Sequence, residues 1–308
     1  MLPSLHIVVS CADRKRHPPA VRLRDIEGDS AALRFAAWRD AVTKSDGPHA
    51  RAEDLYQGGY WSVVRELPAL AAHMGWEPRL WIASAGYGMV GSDKQLVSYS
   101  ATFSSGHKDS VSSLGENDAA PKWWNCAIAA RGGLGSSLAT LVKKEPRATV
   151  LVVASPSYID AMSDDLVAAV QHARSPGAMF VISSRLPMKA VGSANWIPSS
   201  SALQKSLGGA LVSLHARVAR YLIANIPPSD FRKENLSHMT KKLNEEVGPI
   251  AKRTAGIAMT DEDVIVFIRQ RVAVDTKVSH TWLLRELRKS GQACEQGRFR
   301  RLFKQVKS

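Results

Sequence analysis

Four short apolar runs, each followed by serine, constrain the fold more than any other feature of this sequence. The runs occupy residues 6–9, 80–83, 149–154 and 179–182, and the serines are Ser10, Ser84, Ser155 and Ser183. Runs of this length without polar alternation are typical of strands that are buried on both faces. Segments with the spacing of amphipathic helices occur at about 54–75, 122–143, 157–174 and 201–226. The pattern predicts an α/β fold in which a four-stranded parallel sheet lies between helices.

The serines that follow the runs indicate where a ligand would bind. In an open parallel sheet, ligands bind outside the carboxyl ends of the strands. We therefore expect the loops that begin at Ser10, Ser84, Ser155 and Ser183 to form one binding edge.

A proline pair at residues 227–228 divides the sequence into two predicted domains, 1–226 and 229–308. The second domain has only helical patterns, at about 231–247, 260–271, 279–288 and 293–306. Gly291 lies in the turn between the last two. A helix, a glycine-containing turn and a basic helix are typical of a helix-turn-helix. We therefore predict an α/β domain followed by an all-helical, helix-turn-helix-like domain.

The excess of positive charge is concentrated near the end of the chain. The sequence has 41 Lys and Arg against 28 Asp and Glu, which gives a net charge of +13. Residues 277–308 contain nine Lys or Arg and two Glu, which gives +7, about half of the total. A clustered excess indicates a polyanionic partner, and we expect double-stranded DNA; a solvated basic face is the plainer alternative. The predicted DNA-binding residues are Arg185, Arg285, Arg298, Arg301 and Lys304.

Several classes of protein are disfavoured by what the sequence lacks. No apolar run reaches the about 18 residues of a membrane span, and the N-terminus shows no secretion leader, so we expect a cytoplasmic protein without membrane contact. Cys11, Cys126 and Cys294 are widely spaced, so we expect neither a disulfide framework nor a bound metal. Walker, GxGxxG, HExxH and GxSxG motifs are absent, and no cofactor is expected.

The loop after the first run contains the first candidates for catalysis. Asp13 is a carboxylate that would activate water or stabilise a developing cation, and Lys15 would neutralise a phosphate or a leaving group. Ser10 would stabilise charge on a departing group. The alternative is a polar turn in which Asp13 pairs with a neighbouring Arg or Lys. Cys11 is interpreted as a small buried residue, because no His lies close to it in the sequence.

Aromatic, glycine and hydroxyl residues cluster after the second run. Tyr87 lies between Gly86 and Gly88, and Tyr99 and Phe103 follow it. Aromatic faces beside hydroxyls and backbone amides suit a planar, hydrogen-bonding ligand such as a nucleobase. The alternative is that both tyrosines pack the edge of the sheet. The predicted base-binding residues are Ser84, Tyr87, Gly88, Tyr99, Phe103 and Tyr158, and Asp109 is a second candidate carboxylate.

Four motifs in this order resemble those of a widespread prokaryotic family of uncharacterised α/β domains. They are Cys11-x-x-x-Lys15, Leu55-Tyr56-x-Gly58, Ser84-Ala85-x-Tyr87-Gly88-Met89 and Tyr99. The family has CSxxK, LYxGxY and SAxYGL motifs with a downstream tyrosine, and the resemblance covers about residues 5–165. This chain differs in Ala12 and Asp13 and has three residues instead of two before Lys15.

That family is similar to the uracil-DNA glycosylase superfamily and to peroxide-stress DNA-binding proteins. Its relatives include antiviral DNA glycosylases that excise modified bases from phage DNA. The resemblance implies a uracil-DNA-glycosylase-like three-layer fold and a DNA glycosylase that needs no metal or cofactor. Such an enzyme flips a base and hydrolyses its N-glycosidic bond. We rank Asp13 first and Asp109 second as the carboxylate that stabilises the oxocarbenium-like sugar.

Two other functions stay open on the sequence alone. The first is a non-enzymatic DNA-binding regulator whose α/β domain senses a nucleotide-like ligand. The second is an enzyme that acts on free nucleosides or nucleotide sugars, in which the basic tail has no part in the reaction.

Overall fold

The computed structural model describes residues 2–114, 116–129, 133–173, 178–185, 195–246, 256–276 and 278–307. The chain forms two compact units, Met1–Gly248 and Pro249–Ser308. The described strands are β1 (Ser4–Ser10), β2 (Val21–Arg22), β3 (His49–Arg51), β4 (Glu77–Ser84), β5 (Gly88–Gly91), β6 (Gln95–Val97), β7 (Tyr99–Ser100), β8 (Thr149–Val153), β9 (Met179–Ser183), β10 (Trp196–Pro198), β11 (Ile257–Ala258) and β12 (Gln292–Ala293). The described α-helices are α1 (Ala31–Thr43), α2 (Ala52–Leu55), α3 (Gly59–Val64), α4 (Leu67–His73), α5 (Ala119–Ile128), α6 (Leu138–Lys144), α7 (Pro156–Ala161), α8 (Ser163–His172), α9 (Gln204–Leu207), α10 (Leu214–Asn225), α11 (Lys233–Glu246), α12 (Asp261–Val274), α13 (His280–Lys289) and α14 (Gln296–Lys307).

The first unit contains a six-stranded mixed sheet in the order β10-β9-β8-β1-β4-β5. Neighbouring strands are parallel except for β4 and β5, which are antiparallel. The four predicted strands are confirmed as β1, β4, β8 and β9, which are the inner strands of the sheet. These four strands are parallel to one another, as predicted, but the sheet has six strands instead of four and is mixed, because each edge carries a further short strand and β5 is antiparallel to β4.

Both edge strands are too short to form a recognisable apolar run. β5 has the sequence Gly-Met-Val-Gly and returns along β4 after a tight turn, in which Gly88 has a φ of +72°. β10 has three residues and ends in Pro198, which has no N–H to donate to a further strand.

The apolar strands are buried because helices pack against the sheet. Leu5, Ile7 and Val9 of β1 are fully buried. α4 packs against β1 and β4, α10 against β8 and β9, and α5 against β5. The parallel register of β9, β8 and β1 brings the carboxyl ends of these three strands side by side.

The predicted helices of the first domain are divided in the structure. The segment 54–75 contains α2, α3 and α4, and each of the other three predicted segments contains two α-helices. The breaks coincide with residues that interrupt helices, such as Gly58, which precedes α3 with a φ of +101°, and Pro68 in the first turn of α4. Residue 174, the predicted end of the third segment, lies outside the described residues.

The helix α11 packs with the first unit, where Leu236 and Leu243 share the main core with Phe231. The second unit has a core of its own, formed by side chains of α12, α13 and α14. These helices confirm, to within a few residues at their ends, the predicted ones at 260–271, 279–288 and 293–306. None of the described helices is long and apolar enough to cross a membrane.

Candidate functional site

A cavity of about 650 Å³ lies at the carboxyl ends of β1, β8 and β9. The loops that follow these three strands supply Ser10, Ser155 and Ser184 to its wall. The loop after β4 does not line it. The remaining wall comes from the start of α3, from Thr102 and Ser104, and from the segment that leads into α10.

The described wall of the cavity is mostly uncharged. Hydroxyl groups of serine, threonine and tyrosine alternate with an apolar patch around Leu211, Val212 and Leu214. Among the described lining residues, only Asp13 and Arg14 carry a formal charge. A concave, largely apolar wall with a few polar groups is what a site for a small organic group requires.

Tyr60 joins the ends of two strands at the base of this site. Its hydroxyl accepts hydrogen bonds from the backbone N–H of Ser10 at 3.2 Å and from the Ser10 hydroxyl at 3.3 Å. It donates to the carbonyl of Val153 at 3.0 Å. Burial raises the pKa of Tyr60, so the hydroxyl keeps the proton that it donates. Because both donors of Ser10 are bound by Tyr60, Ser10 is held in place rather than directed at a ligand.

Cys11 and Tyr158 form a second buried pair in the wall. The Cys11 Sγ lies 3.0 Å from the Tyr158 hydroxyl, and both residues line the cavity. Burial raises the pKa of Tyr158, which keeps the phenol protonated. The ring of Phe103 packs edge-on against Tyr158 from within the core, at a centroid distance of 5.1 Å.

His215 is a lining residue that sequence reasoning missed. It is 9% exposed, its ring stacks on Tyr60 at a centroid distance of 4.8 Å, and its Nε2 has no hydrogen-bond partner among the described residues. Burial lowers the pKa of His215 to about 4, so the imidazole is neutral at physiological pH. A buried polar atom without a partner costs free energy, so this Nε2 is a candidate group for binding a ligand. The position of this His in the apolar stripe of α10, beside Val218, Ala219 and Leu222, could have indicated it.

Lys15 fixes the loop that carries Asp13. Its Nζ donates to the carbonyls of Ala12 at 3.1 Å and Asp13 at 3.3 Å, and it lies 4.2 Å from the centroid of the Tyr99 ring. Burial lowers the pKa of Lys15. Lys15 does not line the cavity, so its position is that of a clamp on the loop rather than of a group that contacts a ligand.

The motif residues meet in a buried cluster beside this loop. The Tyr99 hydroxyl lies 2.7 Å from the Ser84 Oγ and 3.0 Å from the Tyr56 hydroxyl. Ser84 also accepts hydrogen bonds from the backbone N–H groups of Gly86 and Tyr87. We call Lys15, Tyr56, Ser84 and Tyr99 the tyrosine cluster. The cluster connects the first loop of the sheet to the turn after β4.

The residues predicted to stack on a base are core residues. Tyr87, Tyr99 and Phe103 are 7%, 1% and 2% exposed, and none of them lines the cavity. The Tyr87 hydroxyl donates to the carbonyl of Val97, and burial raises the pKa of Tyr87 to about 12. Gly88 serves the turn, since a Cβ there would lie 2.9 Å from the carbonyl oxygen of Ala127. Of the predicted base-binding residues, only Tyr158 lines the cavity.

The two candidate carboxylates have different environments. The Asp13 side chain is 68% exposed at the rim of the cavity, with the His107 Nε2 at 3.6 Å from its Oδ1. Asp109 is fully buried and accepts hydrogen bonds from the Arg24 side chain and from Ser100. Burial by itself raises the pKa of Asp109, but the bonds from Arg24 and Ser100 outweigh burial and hold it well below its usual range. Asp109 therefore has a structural role, and Asp13 is the carboxylate within reach of a ligand.

The predicted DNA-binding residues separate into paired and unpaired cations. Arg185 forms an ion pair with Asp160, and Arg298 forms one with Asp261. Arg301 lies 3.8 Å from the same Asp261 carboxylate. Arg285 and Lys304 are exposed and form no ion pair with any residue that the structure describes.

Neither a metal site among the described residues nor a similarity to a known protein adds to this geometry. No group of three or more His, Cys, Asp or Glu in the described parts of the chain is arranged to hold a metal ion. No family model, no curated protein and no solved structure matches this chain.

Proposed function

We propose that the chain is a DNA glycosylase that flips a modified nucleobase out of double-stranded DNA and hydrolyses its N-glycosidic bond, in defence against phage. The observation that carries the proposal is the exposed Asp13 carboxylate at the rim of a hydroxyl-lined cavity. A carboxylate at that place would lie beneath the sugar of a base that enters the cavity. The position of the cavity at the carboxyl ends of the strands supports the proposal, because α/β proteins bind their ligands there.

The proposed reaction uses Asp13 as the only anionic residue among those described in the wall. Water attacks the anomeric carbon while the bond to the base breaks and its electron pair leaves with the base nitrogen. Asp13 stabilises the oxocarbenium-like sugar and accepts a proton from the attacking water. This proton then passes to the departing base. The products are the free base and an abasic site.

Recognition of the base would use neutral groups. His215, with its unpartnered Nε2, and Tyr158 both line the cavity, and in this proposal they exchange hydrogen bonds with the edge of the base. Because the His215 imidazole is neutral, it can act as donor or acceptor without bringing a charge into the cavity. Lys15 would act as a positioning residue through the carbonyls of Ala12 and Asp13.

The second unit supports a DNA substrate through its charge. Its helices α13 and α14 contain Arg285, Arg300 and Lys304 at exposed positions. Phosphate contacts of this kind supply affinity that is independent of sequence and sensitive to salt. We propose that α12, α13 and α14 form a helix-turn-helix-like module for this purpose, and that the first unit is uracil-DNA-glycosylase-like.

The experiment that tests the function compares Asp13→Asn with the unchanged protein on modified phage DNA and on unmodified duplex. Base release is measured by mass spectrometry, and abasic sites are measured by alkali cleavage. We expect base release from modified DNA, slowed in Asp13→Asn by about 10²–10⁴-fold. DNA affinity should not fall, because the substitution removes a negative charge.

The matched control is Asp54→Asn, at an exposed position on α2 that does not line the cavity. It should release bases at the unchanged rate. Base release that survives Asp13→Asn would remove Asp13 from the mechanism, and intact DNA from every source would remove the glycosylase itself.

The alternative function is a DNA-binding regulator that senses a nucleotide-like ligand. The unpartnered His215 Nε2 in an uncharged part of the wall favours a small ligand in either case. A regulator would release no base, and addition of the ligand would change its affinity for DNA by the coupling between the two sites. Titration of DNA binding with free nucleosides and nucleotides distinguishes the two functions.

A further inference from the structure

A basic groove of about 710 Å³ lies on the second unit, and it shares no lining residue with the cavity of the first. Its described wall contains Trp282, Arg285, Arg288, Lys289 and Gln296, and it contains no Asp or Glu. Trp282 is 42% exposed, which makes it a large aromatic side chain that folding leaves open to solvent. We call this surface the α13 groove.

The exposure of Trp282 follows from the two faces of α13. Leu283, Leu284 and Leu287 of this helix are buried in the core of the second unit. Trp282, Arg285 and Lys289 are spaced at i, i+3 and i+7, so they share the opposite face. The core therefore fixes the helix in a rotation that presents the indole and two cations together.

The start and end of α13 are both held in place. The Ser279 Oγ caps the helix by accepting a hydrogen bond from the Trp282 N–H at 3.2 Å. Arg288 donates to the carbonyl of Cys294 at 3.0 Å, which ties the end of the helix to the segment after the turn. An aromatic ring on a fixed backbone loses little conformational entropy when it binds a flat ligand.

The described wall of the groove carries positive charge and no carboxylate of its own, which favours an anionic partner. Arg285 has no carboxylate within ion-pair distance among the described residues, and Lys289 pairs with Glu286, which lies outside the groove wall, at 2.8 Å. By contrast, Arg298 and Arg301 on α14 both lie near the Asp261 carboxylate. Of the predicted DNA-binding residues on these two helices, Arg285 and Lys304 therefore keep a charge that no described carboxylate neutralises, whereas Arg298 and Arg301 do not.

We infer that the α13 groove binds single-stranded DNA, with an unpaired base stacked on the Trp282 indole and the flanking phosphates at Arg285 and Lys289. Every base has a flat face, so stacking of this kind tolerates any sequence. A paired base in duplex DNA has its faces covered by its neighbours and offers only phosphates to this surface. The inference concerns binding alone and does not depend on the chemistry proposed for the first unit.

The test measures binding of the full chain to a single strand, oligothymidylate of about 20 nucleotides, and to a duplex of equal length. This length exceeds the ~4–16 nucleotides that single-strand sites cover. Fluorescence anisotropy with labelled DNA gives both affinities. Trp282→Ala should weaken binding of the single strand by roughly tenfold, the effect of losing one stacked base. Binding of the duplex should stay nearly unchanged, and Trp282→Phe should keep most of the single-strand affinity.

Charge substitutions supply the second arm of the test. The salt dependence of single-strand binding is the slope of the logarithm of the binding constant against the logarithm of the salt concentration. Arg285→Gln should make this slope less steep by about 0.7, the value for one lost phosphate contact. Arg147→Gln removes an equal charge from an exposed position of the first unit, outside the groove and the cavity, and should leave the slope unchanged. Thermal unfolding of each variant shows that the second unit is still folded.

Two results would overturn the inference. In the first, Trp282→Ala binds oligothymidylate as tightly as the unchanged protein, which would mean that no base stacks there. In the second, Trp282→Ala loses single-strand and duplex affinity equally while remaining folded, which would make the groove a duplex contact. Neither result bears on base release, so a failure here is distinct from a failure of the proposed glycosylase.

Discussion

His215 combines three properties that are costly for a protein to keep together at one residue: burial, a titratable ring and a polar atom without a partner. Desolvation disfavours its charged form, and no neighbouring anion offsets that cost, since burial is the only cause of its lowered pKa. The residue therefore makes stability depend on pH.

The dependence has a definite sign. Above pH 6.5 the imidazole is neutral in the folded and the unfolded chain, so His215 does not make the free energy of unfolding depend on pH there. Between pH 6.5 and about 4 the unfolded chain binds a proton that the folded chain does not, so the free energy of unfolding falls as pH falls. The loss attributable to this group should approach about 3 kcal/mol.

The prediction is measured with His215→Phe, which keeps a ring against Tyr60 but does not titrate. Urea unfolding at several pH values should show a smaller loss of stability in acid for the variant than for the unchanged protein. The control is His73→Phe on α4, where the imidazole is exposed, and it should change the acid loss little. An equal acid loss in His215→Phe would mean that His215 is not buried as described.

The sequence predicts the identity of several site residues better than their surroundings. Asp13 and Tyr158 were predicted at the ends of strands, and both line the cavity. Tyr87 and Tyr99 were predicted to contact a ligand, but the same motif places them in the core. A motif fixes order and spacing, whereas the face that a side chain presents depends on contacts made by distant segments, here Val97 and Ser84.

At the scale of elements, the turn between β4 and β5 sets the direction of the edge strand. Gly88 has a positive φ, and its backbone also lies close to the carbonyl of Ala127 in α5. A Cβ at this position would therefore meet two obstacles, a strained backbone and a close oxygen. Gly106 has a φ of +77° but no atom within 4 Å of its Cβ position, so it meets only the first.

This pair of glycines separates the two costs. Gly106→Ala should lower the free energy of unfolding by about 1–2 kcal/mol, the cost of a left-handed alanine. Gly88→Ala should cost more, because α5 or the turn must also shift. Chemical denaturation of both variants gives the comparison, and equal losses would show that the contact with Ala127 is relaxed without cost.

The inner strands were predictable from the sequence because burial on both faces leaves an uninterrupted apolar run. The edge strands were not, since β5 and β10 have four and three residues and no such run. The helices were predicted in the right places but too long. Periodicity continues across a break when the pieces on both sides face the same core, and only local residues such as Gly58 reveal the interruption.

At the scale of the whole molecule, the two units give a choice of where the chain can be cut. Phe231, Leu236 and Leu243 belong to the core of the first unit, although they follow the proline pair. A chain that ends at residue 228 loses all three, at about 2–5 kcal/mol for each large buried side chain. A chain that ends at residue 248 keeps them.

We expect the chain of residues 1–248 to melt as one cooperative unit and the chain of residues 1–228 to be much less stable, as calorimetry would show. The chain of residues 1–248 should also lose most of its affinity for duplex DNA, because the second unit is removed. The affinity that it keeps should depend much less on salt concentration. If it still hydrolyses free nucleosides at the rate of the full chain, the enzyme acts on small substrates. Unaltered DNA affinity would instead place the main DNA contact in the first unit.

The short edge strands have a further consequence for contacts between copies of the protein. A long, flat strand at the margin of a sheet offers a row of unpaired backbone groups to which another copy can add. β5 and β10 are the outermost strands of the sheet in the described chain, and the proline that ends β10 removes one of the donors. Growth of fibrils by addition of copies at these margins is therefore disfavoured by the fold itself, independently of the net charge that also keeps molecules apart.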